Sequence, residues 1–427
     1  MYDVICIGAG LNYAAAVTLA KSGKKVMLIE KNLEHIGGTC LHNGCIPSKN
    51  LLHRVKVMIE SNEEVFSNKV KINLKKLHEI TMANLEKNTK AITKQCIKSG
   101  IELVEGEAFV VDDGVEVNGK ILKSEYIIIA TGSKPFIPKG IEYDKKHIIT
   151  SDEALNFEHI PKEISVYGSG AIGLEMASLF AGLGSKVNLI IRSDLKFGDK
   201  INEKLKLQLS EIGINIIYSP ITKAITKNNK VIISLSDKEI ESEYLVVATG
   251  RKPNIDVIKT DKIKIDKGII TDDYFCTTME NVWAIGDCNA KQQLAHSARA
   301  QALNVVNQIF GKKENLDLDN VPKFIYTLPL SYASVGKESQ KEVSFELTGL
   351  GISGSSYLDK NGIVILYADE ENFITGAKIL APNAEELIGI ITTAITAEMD
   401  VELFKKVIFP HPTYSESLDR VVRKIRD

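Results

Sequence analysis

Two cysteines separated by four residues, Cys40 and Cys45, sit inside the run Gly37-Gly-Thr-Cys-Leu-His-Asn-Gly-Cys-Ile-Pro-Ser-Lys49. In a reducing compartment, close paired thiols serve reversible disulfide chemistry or metal binding. The chain begins Met1-Tyr-Asp and enters an apolar strand without a charged leader, secretory core or cleavage site, which sets the expectation of a cytoplasmic protein. There, a Cys40–Cys45 disulfide reads as working chemistry rather than a staple. The plain alternatives are two unpaired buried thiols or half of a zinc site. Zinc would need a second close pair, and Cys6, Cys96, Cys276 and Cys288 are scattered; they read as small packing residues. No metal is expected. The helix expected after Cys45, with Pro47 near its start, would bring positive dipole close to a thiolate. Lys49 reads either as a surface charge or as the partner of Glu175 beside an electron-accepting ring. Near the C-terminus, His411-Pro-Thr-Tyr-Ser-Glu416 sets a carboxylate five residues after an imidazole, which allows an oriented acid–base pair. Alone, His411 would read as structural; beside a redox dithiol it reads as catalytic.

These groups need elements to position them. Two segments, Tyr2–Glu30 and Ile164–Arg192, repeat one plan of apolar strand, glycine-rich turn, helix and second strand. Each is followed, after a long interval, by a strand ending in Ala-Thr-Gly: Tyr126–Gly132 and Tyr244–Gly250. Duplication of a whole nucleotide-binding unit is a stronger signal than either glycine motif alone. In the first unit Gly8-Ala-Gly10 opens a helix, where backbone amides and the helix dipole suit a pyrophosphate. Glu30 ends the second strand, where a carboxylate can hold an adenosine ribose. This turn lacks its third glycine: Leu11-Asn-Tyr13-Ala follows, and the spacing to Glu30 is one residue short. The second turn, Gly168-Ser-Gly-Ala-Ile-Gly173, is complete. Its second strand ends in Ile191-Arg192-Ser193, with Lys196 nearby, where an NADH site would carry an acidic residue. A guanidinium, a hydroxyl and an ammonium suit a 2′-phosphate, which favours NADPH over NADH; a solvated loop arginine is the bland alternative.

The remaining chain reads as a long helix Leu74–Lys98, short strands near Glu102–Val117, the run Trp283-Ala-Ile-Gly-Asp-Cys288 and a helix to about Phe310. From Val321 the character changes. Alternating Val343–Leu347 and Ile363–Tyr367 suggest antiparallel strands, and Ala384–Phe404 suggests helices, together a separate α+β domain. At 427 residues the chain implies two to four domains. A net charge of −2 gives no electrostatic reason to expect nucleic acid. No apolar run approaches the roughly 20 residues of a membrane helix. Lys69–Lys76 and Lys200–Lys206 read as solvated helix faces, and Leu387–Ala397, broken by threonines, as a buried helix.

Together these residues resemble the pyridine nucleotide–disulfide oxidoreductases, the flavoenzyme family of dihydrolipoamide dehydrogenase, glutathione reductase and mercuric reductase. The likeness runs in order from Gly8 through the dithiol run, both Ala-Thr-Gly strands, Ala284-Ile-Gly-Asp287 and Leu294-Ala-His-Ser-Ala298, to His411-Pro-Thr413 and Glu416. It implies an α/β fold of two Rossmann-like domains plus a C-terminal α+β dimerisation domain. Residues 1–148 and 266–318 would bind FAD, residues 149–265 NAD(P), and residues 319–427 would form the interface. For FAD the resemblance implies Gly8, Gly10, Glu30, Gly38, Thr39, Lys49, Ala108, Thr131, Gly132, Ala295 and, at the ribityl chain, Asp287. For the nicotinamide nucleotide it implies Gly168, Gly170, Ile172, Gly173, Arg192, Ser193 and Gly250. Cys45 would face the flavin and Cys40 exchange with substrate, with Lys49–Glu175 near flavin N5. His411, steadied by Glu416, would reach the dithiol of a second subunit, which implies a homodimer.

For substrate, the Cys45-Ile-Pro-Ser-Lys49 ending points to dihydrolipoamide, oxidised or formed. Arg192, and Phe409 where that branch commonly has a second histidine, point to an NADPH-dependent reductase of another small disulfide. The terminal Val421-Val-Arg-Lys-Ile-Arg-Asp427 carries no cysteine pair, against mercuric reductase. The shortened first turn, in a chain shorter than the family's usual length, leaves a third reading: a flavin-binding or assembly subunit without turnover. The retained dithiol and His411–Glu416 speak against it.

Overall fold

Tyr2–Ile7, Val26–Glu30 and Ser124–Ile129 are dominated by aliphatic side chains, the pattern of strands covered on both faces. A computed structural model describes residues 1–62, 66–347 and 362–426. These strands join Glu102–Glu105 and Val282–Ala284 in a five-stranded parallel sheet, ordered Val282–Ala284, Ser124–Ile129, Tyr2–Ile7, Val26–Glu30, Glu102–Glu105. The second repeat builds the same device: Ile214–Tyr218, Lys186–Ile191, Glu163–Tyr167, Tyr244–Val247 and Ile148–Ile149, again all parallel. A third, antiparallel sheet holds Lys323–Ile325, Ser331–Gly336, Ile374–Ala381, Ile363–Ala368 and Lys341–Glu346, with the helix Ala384–Thr396 packed on it.

The chain groups into two compact units. One comprises Met1–Ser48, His78–Phe136 and Arg251–Leu318; the other comprises Lys49–Leu77, Ile137–Gly250 and Asp319–Asp427. In the second unit the nucleotide-type sheet and the C-terminal sheet share a core, in which Leu174, Met176 and Leu189 cluster with Ile363, Ile365 and Leu380.

Both strands that precede an Ala-Thr-Gly stop before it, at Ile129 and Val247. The freed residues then cross the mouth of the glycine turn. A Cβ on Gly8 would lie 2.3 Å from the Ala130 carbonyl oxygen, and one on Gly168 would lie 2.2 Å from that of Ala248. Both glycines also hold φ values, +88° and +133°, that L side chains avoid. The repeated turn and the repeated Ala-Thr-Gly are therefore one structural unit, each requiring the other.

Two lysine runs meet the expectation of solvated helix faces only in part. The helix of the first run begins only at Leu74, so Lys69 and Lys71 precede it. In the second run, Lys200 and Lys204 pair with Glu342 and Glu346 of the C-terminal sheet, and Lys206 with Asp194. Among the described residues, no helix is long and apolar enough to cross a membrane.

Candidate active site

The redox run is tied to the first glycine turn. The Gly37 amide donates to the Ala9 carbonyl at 2.9 Å, and a Cβ on Gly38 would strike the Gly10 Cα at 2.8 Å. Only glycines permit that approach, which brings the helix Gly38–His42, carrying Cys40, onto the turn. Cys45 is the first residue of the next helix, Cys45–Glu60, where the partial positive charge of a helix N-terminus favours a thiolate. Both cysteines are half-buried. The other thiols differ. Burial pushes Cys6 up to about 12 and Cys96 and Cys288 up to about 11, so they stay protonated and inert; Cys276 is only half-buried, and its thiol is raised by desolvation too.

Beside the run lies a cavity of about 580 Å³. Of the residues expected to hold FAD, it is lined by Gly8, Gly10, Glu30, Gly38, Thr39, Ala108, Thr131 and Gly132. The Glu30 carboxylate accepts from the Ala9 amide at 2.6 Å, so it reaches the turn despite the missing residue. Asn12, just after the turn, is 1% exposed at the start of the helix Tyr13–Lys21, and neither of its amide atoms has a hydrogen-bond partner among the described residues. Asp287 and Ala295 do not line the cavity. Ala295 opens the helix Ala295–Ile309, and Asp287 accepts from the hydroxyl of Ser133, the residue after Gly132. The glycine cradle, the open volume and the ribose-type carboxylate fit the adenosine pyrophosphate of a dinucleotide flavin.

In the second unit, Gly170 caps the helix Ala171–Gly182, and Ile172 and Gly173 lie in its first turn. Arg192 and Ser193 emerge exposed immediately after the strand Lys186–Ile191, and Arg192 makes no hydrogen bond or ion pair among the described residues. Gly250 is exposed at φ +120°. Lys49, the other residue expected at the flavin, belongs to this unit: its Nζ lies 2.7 Å from both oxygens of Glu175, whose side chain is 5% exposed. Glu175 Oε1 also accepts from the Tyr326 amide at 3.0 Å, and the Phe324 ring lies 5.4 Å from the ammonium. Lys49→Met removes the cation and strands that carboxylate, a loss of about 3 kcal/mol, while Lys49→Met/Glu175→Leu recovers most of it. Thermal melts of the two variants check this: equal melting temperatures would refute the pairing energetics.

His411 Nδ1 lies 2.9 Å from Glu416 Oε1, and the Thr413 amide donates to Glu416 Oε2 at 3.0 Å. Glu416 is thus gripped from two sides, first by His411, which holds its carboxyl below the usual carboxylate range. The imidazole itself is 73% exposed, and its Nε2 has no partner among the described residues.

Residues 2–302 match the family model described as "Pyridine nucleotide-disulphide oxidoreductase", and residues 321–422 match its dimerisation domain. The chain belongs to the pyridine nucleotide-disulphide oxidoreductases. It is 32% identical to a dihydrolipoyl dehydrogenase of Buchnera aphidicola subsp. Schizaphis graminum, over 97% of this chain and 94% of that protein. It is 30% identical to a mercuric reductase of Lysinibacillus sphaericus, over 98% and 81%. Two solved structures share the fold over the whole of both chains: LpdA from Mycobacterium tuberculosis (TM-score 0.91, 20% identity) and the HOCl-induced flavoprotein disulfide reductase RclA from Escherichia coli (TM-score 0.90, 24% identity). This member of the family is an oxidoreductase of the dihydrolipoyl dehydrogenase-like kind, and the family implies FAD and a pyridine nucleotide.

Sequence reasoning missed several residues of the oxidoreductase's cavity. His35 and His42 line it with rings 5.0 Å apart, and Asn254 and Asp256 line it as well. His42 stands inside the dithiol run itself, and burial lowers its pKa. Asn254 and Asp256 follow the second Ala-Thr-Gly, and no local pattern announces that they fold back onto the first.

Proposed function

We propose that this protein moves two electrons between NAD(P)H and a small disulfide, with Cys40 and Cys45 as the exchanging pair. The observation that carries this reading is the Gly10–Gly38 approach, which sets the dithiol run on a dinucleotide turn beside a cavity of matching residues. Gly8, Gly10, Glu30, Gly38 and Thr39 would hold the adenosine pyrophosphate of FAD, Asp287 its ribityl chain, and the Lys49–Glu175 pair would stand at the ring. Bound FAD supplies the step between hydride and disulfide electrons. The Cys40 thiolate attacks the substrate disulfide, forming a mixed disulfide and expelling one thiolate, which His411 protonates. The Cys45 thiolate then attacks Cys40 Sγ, releasing the second substrate thiol and closing Cys40–Cys45. Run in reverse, the same residues oxidise a dithiol.

His411 serves the dithiol of a second copy, so the working form is a homodimer. The family's dimerisation domain and the exposed Ile408, 94% accessible three residues before His411, support this. Dihydrolipoamide is the leading substrate, supported by the dihydrolipoyl dehydrogenase relatives and the Cys45–Lys49 ending. The second reading, an NADPH-dependent reductase of another small disulfide, is favoured by Arg192. Its guanidinium is unpaired among the described residues, while the neighbouring Asp194 carboxylate is occupied by Lys206 and held low by that bond.

Anaerobic stopped-flow reduction with NADPH and with NADH tests the proposal. The expected result is rapid two-electron reduction with a long-wavelength thiolate–flavin band, faster for NADPH. Arg192→Ala raises KM for NADPH about 10- to 100-fold, as loss of a charge-assisted bond would, with NADH little changed. A colourless protein, or a flavin that neither nucleotide reduces, would sink the redox reading; an unchanged nucleotide preference would sink the role of Arg192.

A further inference from the structure

Asp287 lies on a short turn, Gly286–Asn289, that is held from behind: the Gly286 amide and Asn289 Nδ2 each donate to Gln301 Oε1 at 2.9 Å. Its Oδ2 accepts from Ser133 Oγ at 2.5 Å. Ser133 Oγ also lies 2.8 Å from Arg251 Nε, and Arg251 Nη2 donates to the Ser133 carbonyl at 2.7 Å. A guanidinium has donors only, so the Ser133 hydroxyl must accept from Arg251 and send its own proton to Asp287. The direction of the relay is fixed by chemistry. Oδ2 is thereby committed, and Oδ1 carries no partner among the described residues.

Arg251 reaches this position by backbone pairing. Arg251–Pro253 runs antiparallel to Ser133–Pro135, and the register is locked next door. The Asn254 amide donates to the Gly132 carbonyl at 2.9 Å, Thr131 Oγ1 to the Asn254 carbonyl at 2.6 Å, and Asn254 Nδ2 to the Thr131 carbonyl at 2.9 Å. The segment after the second Ala-Thr-Gly thus clips the segment after the first, and a cation arrives behind the serine.

We infer that Arg251 is a positioning residue of the flavin site: through Ser133 it holds the Asp287 side chain oriented with Oδ1 presented to a ligand hydroxyl. This rests on the reading that Asp287 meets the ribityl chain. ADP carries the adenosine and pyrophosphate of FAD without that chain, which separates a local role from a general one.

Full-length protein stripped of flavin is titrated calorimetrically with FAD and, separately, with ADP. Arg251→Gln and Ser133→Ala each weaken FAD about tenfold or more, leaving ADP unchanged. Ser133→Thr, which keeps the hydroxyl, binds FAD within about threefold of the parent, and Arg251→Gln/Ser133→Ala is no weaker than Ser133→Ala alone, because the two act in series. FAD binding unchanged in Ser133→Ala or Arg251→Gln, or FAD and ADP falling together, overturns the inference. Should Arg251→Gln fail to fold, the Ser133→Ala and Ser133→Thr comparison decides alone. A parent protein that binds ADP but not FAD refutes the flavin reading and this inference with it.

Discussion

Cys45→Ser retains FAD, and its disulfide turnover falls by about 10³-fold or more. The residues proposed to hold FAD are the glycine turn, Glu30 and the cavity they line, none of which the substitution touches. Serine is close to isosteric and well tolerated at the first position of the helix Cys45–Glu60, so the fold is little affected. What is lost is the second nucleophile, since a hydroxyl does not yield an anion at neutral pH and cannot resolve a mixed disulfide. Cys40 should then attack once and stall. Mass spectrometry of the variant after substrate disulfide should show one substrate half on Cys40, released by a strong reductant. Residues that act as a unit are not additive, so Cys40→Ser, Cys45→Ser and Cys40→Ser/Cys45→Ser fall to one common level. Turnover in Cys45→Ser equal to the parent would end the proposed mechanism.

Much of this was legible because burial leaves a period in the sequence. Val4–Ile7 and Ile127–Ile129 announced covered parallel strands as continuous apolar runs, and Leu74–Lys98 announced a helix by a buried stripe at Leu74, Thr81, Leu85, Thr89 and Cys96. The glycine turns were legible for steric reasons, since nothing larger fits beneath the Ala130 and Ala248 carbonyls. Periodicity says that a residue is covered, not by what. The pairing of Arg251–Pro253 with Ser133–Pro135 joins two three-residue, mostly polar strands over a hundred positions apart, so no local pattern marks it. Lys200–Glu342 and Lys204–Glu346 were missed for the same reason, because a lysine that will find a carboxylate in another sheet looks like one that will stay in water. Asn12 is the opposite case. Its place in the incomplete glycine motif was visible, but that its amide lies buried and unpartnered among the described residues at the helix start depends on the packing around it.

His411→Gln slows thiol exchange about 10²- to 10⁴-fold, the usual span for a lost general acid–base, while reduction by the nicotinamide nucleotide keeps its parent rate. The geometry assigns the tautomer. Glu416 is an acceptor at Nδ1, so that nitrogen carries the proton, and Nε2 is the one proposed to take and give a proton at sulfur. Glutamine keeps an amide near the same place but cannot change protonation state, which isolates proton transfer from packing. The carboxyl of Glu416 is held below its ordinary value, first by His411 and then by the Thr413 amide. A depressed carboxyl adds stability above its unfolded value and loses it as pH falls through the folded one, so the pair is intact from about pH 6 to 9, where exchange is measured. Glu416→Gln should cost less than His411→Gln, since it weakens orientation while leaving the base. Stopped-flow traces of the two half-reactions decide the matter. If both slow alike in His411→Gln, the residue supports the fold or the dimer and is not the proton carrier.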